Sequence, residues 1–148
     1  MIGARWFAMG GLMLVICLAA AADTVVVSNN NDLINGNPSS ITNLQSNDGG
    51  DGISIREAIT AVTNTAAGAP HTITFDDDYI ITLTTDSAAI SQPSTIVDSG
   101  GFDITIDGDG AYWGLLLVFG AFSEIRDINF VDCTIAVRAQ NTNSLTVE

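Results

Sequence analysis

The chain has 148 residues, 47% of them hydrophobic, and sets 17 acids against four arginines and no lysine, a formal charge of −13. Phosphate binding needs clustered cations, and Arg5, Arg56, Arg126 and Arg138 are scattered singly, so the composition argues against a nucleic-acid partner. One histidine and two cysteines exclude a zinc cluster or a disulfide framework built from this chain alone, and the length suits one domain.

The first residues read as an address. Arg5 is followed by an apolar run from Met9 to Leu18 and by four alanines, Ala19 to Ala22. A positive start, a short apolar stretch and a small-x-small site describe a secretory signal peptide, with Ala20 and Ala22 at the small positions and cleavage after Ala22. The run is shorter than the roughly 20 residues a spanning helix wants, so no membrane attachment is expected after cleavage. The segments are then 1–22 (signal peptide), 23–70 (a strand, a loop and a helix) and 71–148 (repetitive strands). The mature part has three arginines against 17 acids and one cysteine, Cys133, which reads as a small buried apolar residue.

Thr24 to Val27 is β-branched and predicts a first strand. Ser28 to Gly52 is rich in Asn, Asp, Ser and Gly and reads as a long surface loop. Ser54-Ile55-Arg56-Glu57-Ala58-Ile59 opens a helix: Ser54 and Glu57 stand at capping-box spacing, and Ile55, Ala58, Ile59 and Val62 make one apolar stripe ending near Asn64. After Pro70 the chain turns to short strands. His71 to Phe75 and Ile80 to Thr84 alternate apolar or β-branched residues with threonine. Further runs near residues 96, 117 and 136, and near 105, 127 and 146, form two series with one period of roughly 20 residues, the signature of a solenoid.

The helix phrase, then His71-Thr72-Ile73-Thr74-Phe75, Ile80-Ile81-Thr82-Leu83-Thr84 and Ile104-Thr105-Ile106-Asp107-Gly108, come in an order that resembles bacterial exported proteins with a CSLREAI-type leader. The resemblance runs from about Val25 to the end. It implies an all-β fold, a right-handed parallel β-helix (a pectin-lyase-like solenoid) whose N-terminal helix caps the open end. Two departures stand out: Ile53 replaces the usual Cys, and His71 replaces an Asp. The resemblance also implies a bacterial, extracellular or cell-surface setting. Only about two and a half periods follow Thr95 and no polar cap is visible, so the sequence reads as truncated at its C-terminal side, part of a longer frame, with self-association through an open edge as the alternative.

Candidate chemistry is sparse. Asp76-Asp77-Asp78 and Asp107-Gly108-Asp109 are the densest acidic groups, and Asp76, Asp78, Asp107 and Asp109 are the candidate calcium ligands. Gly49 to Ser54 is one residue from a calcium-binding nonapeptide, with Ser54 where Asp is needed. Asp98-Ser99-Gly100 resembles an aspartic-protease signature, but a single copy would need a dimer to share its proton. His71 is the only histidine, so no Ser-His-Asp triad forms within one chain. The expected role is structural or adhesive, displaying turns to extracellular glycans or other surface proteins. The alternative is a polysaccharide lyase or hydrolase whose site lies in rungs absent here, with Arg126 and Arg138 the only candidates of this chain.

Overall fold

The computed structural model describes residues 22–66, 70–118, 123–140 and 144–148. The signal-peptide reading of residues 1–22 falls, apart from Ala22, outside them. The described chain is mostly strand, all of it in parallel sheets, with two short helices.

Eleven strands are described: β1 (Asp23–Val27), β2 (His71–Phe75), β3 (Tyr79–Thr82), β4 (Ala89–Ile90), β5 (Thr95–Asp98), β6 (Ile104–Asp107), β7 (Trp113–Val118), β8 (Ser123–Arg126), β9 (Ile128–Val131), β10 (Ile135–Gln140) and β11 (Leu145–Val147). They fall into three sheets. The first has the order β1-β2-β5-β8-β11, the second β3-β6-β9 and the third β10-β7-β4. From β2 onward the chain visits the first, second and third sheets in rotation, so three strands make one circuit and each pairs with its counterpart one circuit later.

Register follows from inward side chains. In the first sheet Val25, Ile73, Val97 and Ile125 are lateral partners in successive strands, and each is at most 1% exposed. In the second sheet Ile81 and Ile106 stack fully buried, with Phe130 packed beside them; Ile104 stacks on Ile128 in the same way. Slipping any strand by one residue would turn these rows to solvent, which fixes the pairing. Val147, the next member of the first-sheet row, is 56% exposed because no described strand lies beyond β11. Corners are turned by residues in the left-handed region. Asp127 alone, at φ 52°, joins β8 to β9, and Asp109 and Asp132 take similar values. Aspartate tolerates this conformation through local hydrogen bonds.

The strand periodicity differs from the two-series reading. Trp113 pairs with Ile135, His71 with Thr95 and Ile96 with Glu124, so successive circuits consume unequal lengths of chain. The run near 96 belongs to the first sheet, whereas those near 117 and 136 belong to the third. Ile125 to Phe130 is two strands in different sheets, divided at Asp127. Unequal corners are the reason: the link from first to second sheet takes positions 76–78, 99–103 or 127 in successive circuits.

The entry segment is also more structured than a surface loop. It contains α1 (Ile41–Ser46), which Ser40 caps by accepting from the Asn43 N–H. Ile41 and Leu44 are buried against the second helix, α2 (Ile55–Asn64). α2 has the expected capping box and buries Ile55, Ala58, Ile59, Ala61 and Val62 over the first circuit. Both helices contact β1, and α2 also covers β2 and β4. Gln45 donates to the Thr24 carbonyl at 2.9 Å, covering part of the β1 edge.

Polar residues fasten this cap. The Arg56 guanidinium grips Asp32 with Nε at 2.8 Å and Nη2 at 2.7 Å, and also donates to the Thr85 and Asp86 carbonyls. Asp32, its side chain 1% exposed, accepts further from the Thr84 N–H and hydroxyl. Glu57 is wholly buried and accepts from the backbone N–H groups of Asn35 (2.8 Å), Gly36 (2.6 Å) and Ser54 (3.0 Å). Ser54 Oγ donates to the Leu33 carbonyl while accepting from the Glu57 N–H.

Asp32→Ala leaves Arg56 without its buried partner and is expected to cost about 3–5 kcal/mol, whereas Ser54→Ala costs about 1 kcal/mol; denaturant unfolding measures both, and equal small losses would contradict the ranking. Gly114 faces the Phe130 ring, so a Cβ there would lie 2.7 Å from its Cδ1 and press on the Ala136 carbonyl. Gly114→Ala should lose about 1–3 kcal/mol in the same assay.

Candidate functional site

Outward positions of the sheets carry the polar chemistry. On the first sheet Asp98 and Arg126 are lateral partners, and Glu124 lies two residues before Arg126 on the same face. Arg126 donates to Glu124 at 2.6 Å and to Asp98 at 3.4 Å. The bond to Glu124 leads in holding its guanidinium above the usual arginine range, with Asp98 adding to it. Asp98 also accepts from the Gly100 N–H at 2.8 Å, a turn contact that accounts for the Asp-Ser-Gly phrase. Arg138, the other arginine considered, lies 4.5 Å from the centroid of the Trp113 ring, a cation–π pair on the third sheet.

Beside the Asp98–Arg126–Glu124 group a groove of about 240 Å³ crosses the start of the first sheet. It is lined by Pro70, Ser94, Ile96, Ser123, Glu124, Ser144 and Thr146. Ile96, Glu124 and Thr146 are lateral partners in β5, β8 and β11, so the groove runs across successive circuits, each step about 4.8 Å. Ser94 holds φ 62° at the corner, and Ser123 is 4% exposed with no partner for its hydroxyl among the described residues.

A second groove, about 290 Å³, lies at the start of the second sheet between Asp78, Tyr79, Ile80, Asp103 and Thr105. Asp78 accepts from the Asp103 N–H at 2.8 Å, and Asn129 donates to the Asp103 carboxylate at 3.1 Å. Tyr79 donates to Asp76 at 2.7 Å. Burial, that hydrogen bond and the charges of Asp76 and Asp77 push its phenol up to about 12.

The four candidate calcium ligands are not brought together. Asp76 and Asp78 precede β3 at one end of the second sheet. Asp107 closes β6 at the other end and Asp109 lies past it, about 13 Å away along a four-residue strand. Each has a turn role or a local partner: Asp107, for example, accepts from the Asp109 N–H at 2.9 Å. No three His, Cys, Asp or Glu converge among the described residues. Asp51, in the nonapeptide-like loop, gives both carboxylate oxygens to the amides of Asn31 and Asn35. His71 is the first residue of β2, 2% exposed, with neither ring nitrogen partnered among the described residues. Cys133 is half-buried in a corner; burial pushes its thiol up, and its Sγ lies 3.7 Å from the Ile106 carbonyl, an inert setting.

Sequence reasoning missed the Asp32–Arg56 pair, the partners of Glu57 and the serine-lined groove. A faint signal for the groove was present: Ser94, Ser123 and Ser144 each stand at or just before a first-sheet strand. Among the described residues no helix is long and apolar enough to cross a membrane. No protein-family model, no curated protein and no solved structure matches the chain.

The raised Tyr79 value makes a signed statement about alkaline stability. Between pH 10 and about 12 the unfolded chain releases this proton while the folded chain keeps it, so stability falls as pH rises through that window. Ultraviolet titration should find one of the two tyrosines ionising near pH 12, and Asp76→Asn should bring it down toward 10. An unchanged titration in that variant would discount the Asp76 contact.

Proposed function

We propose that the chain is a right-handed parallel β-helix from an exported, bacterial cell-surface or secreted protein, with a structural and adhesive role toward extracellular glycans or other surface proteins. The observation that carries this reading is the capped stack: three in-register parallel sheets visited in rotation, fastened to α2 and the entry loop by the buried Arg56–Asp32 pair. A right-handed sense is the expectation for parallel strands joined by crossovers. Such a stack is rigid along its axis and presents its outward rows at fixed spacing, as a display scaffold requires. The signal-peptide pattern of residues 1–22 supports export, and the charge of −13 favours a solvated surface over contact with anionic polymers.

The test is retention of the full chain on a panel of immobilised extracellular glycans, with released fragments assayed in the same wells. The expected result is retention without new reducing or unsaturated ends. Release of such ends would establish the lyase or hydrolase alternative, and retention on none of the panel would overturn glycan adhesion.

A further inference from the structure

We infer that the Asn35-Gly36 step is a self-modification site, held inert by the closed cap and set off by cap opening, which makes loss of the cap irreversible. It goes beyond the adhesive reading and does not depend on it. Asn35-Gly36 is the one Asn-Gly step of the sequence, and glycine leaves its own nitrogen open to the preceding side chain. The reaction needs no partner but water. The Gly36 nitrogen gives up its proton and bonds to Asn35 Cγ; the Cγ–Nδ2 bond breaks, and ammonia leaves with that proton. Water then opens the cyclic imide at either carbonyl, giving aspartate or isoaspartate at position 35.

The closed cap opposes ring closure at both reacting atoms. The Gly36 N–H donates to Glu57 Oε1 at 2.6 Å, and a buried carboxylate there disfavours the amide anion that must attack. Asn35 Nδ2 donates to Asp51 at 2.8 Å. The Gly49 backbone stands so close that a Cβ there would lie 2.5 Å from Asn35 Oδ1. The side chain is thus held at its tip and walled along its flank, which resists its rotation toward the Gly36 nitrogen. Asn35 is exposed, so water is at hand for the second step.

Neither product rebuilds the cap. Aspartate replaces the Nδ2 donor with an anionic oxygen facing Asp51, whose other oxygen Asn31 already holds. Isoaspartate lengthens the main chain by one carbon between the Asn35 and Gly36 nitrogens. Those are the two N–H groups that converge on the single oxygen Glu57 Oε1, at 2.8 and 2.6 Å. Glu57 is wholly buried, so a partner lost there is not replaced by water while the cap stays shut.

The experiment is peptide mapping by mass spectrometry of the full chain at mildly alkaline pH, folded and in urea, reading conversion of the amide at position 35. The folded chain is expected to convert at least about tenfold more slowly than the chain in urea. Ser54→Ala loosens the cap without altering Asn35, Gly36, Asp51 or Glu57. It should speed the folded reaction about fivefold, as when rate follows the population of the open form. Asn35→Asp, the product itself, should speed hydrogen exchange of the Gly36 amide about fivefold, the worth of one hydrogen bond, with the strand amides unchanged. A folded chain that converts as fast as the chain in urea, or a rate untouched by Ser54→Ala, would overturn protection by the cap. Unchanged Gly36 exchange in Asn35→Asp would overturn the irreversibility.

Discussion

The Arg56–Asp32 pair is the constraint on which the rest of the molecule depends. A guanidinium and a carboxylate, both largely withdrawn from water, are tolerable only when hydrogen bonds replace most of their lost hydration, and here four guanidinium N–H bonds and two from Thr84 do so. Asp32 accepts from Arg56 and from Thr84; Arg56 spends its other donors on the Thr85 and Asp86 carbonyls. Three segments far apart in the chain are thereby held in one arrangement: the entry loop, the cap helix and the first corner between the second and third sheets. Glu57, one residue on, holds Asn35 and Gly36 from beneath. Adjacent residues of one helix therefore face two segments, one gripping the stack and the other the loop that closes over it.

Below the cap, stability is distributed along rows. Inward aliphatic residues stack on one another circuit after circuit, as Val25, Ile73, Val97 and Ile125 do, so burial repeats along the axis. Outward rows are free to vary and carry the threonines, serines, acids and arginines that give the molecule its surface. Acids gather at corners, where aspartate serves the backbone: Asp127 supplies a one-residue turn, and Asp78, Asp98 and Asp107 accept from nearby N–H groups. Much of the acidic character is thus a by-product of turning corners.

Sequence legibility follows the range of the interactions. The capping box and the α2 stripe are built from near neighbours in the chain and were readable, as were most of the strand-forming runs; the two-residue β4 was not. The helix α1 was not, because one short segment with two buried apolar side chains leaves little periodic signal inside an Asn-rich stretch. The circuit length was obscured for a geometric reason: corner links of unequal length shift the strands relative to any fixed period. The single residue Asp127 made two strands look like one. The grooves and the Asp32–Arg56 pair depend on neighbours brought together from distant parts of the chain, and local composition carries no record of those.

The pairing of β1 with β2 has a kinetic side. Asp23 meets His71 across the whole entry segment, which carries both helices and the Asp32 and Glu57 sites. Later strands need to close far shorter loops, as between Trp113 and Ile135 or Ile96 and Glu124, and each newly laid strand offers a template for the next. The strand made earliest is therefore the costliest to place. Order should spread from the middle circuits toward the helices, so that sealing of the N-terminal end follows the growth of the body it protects.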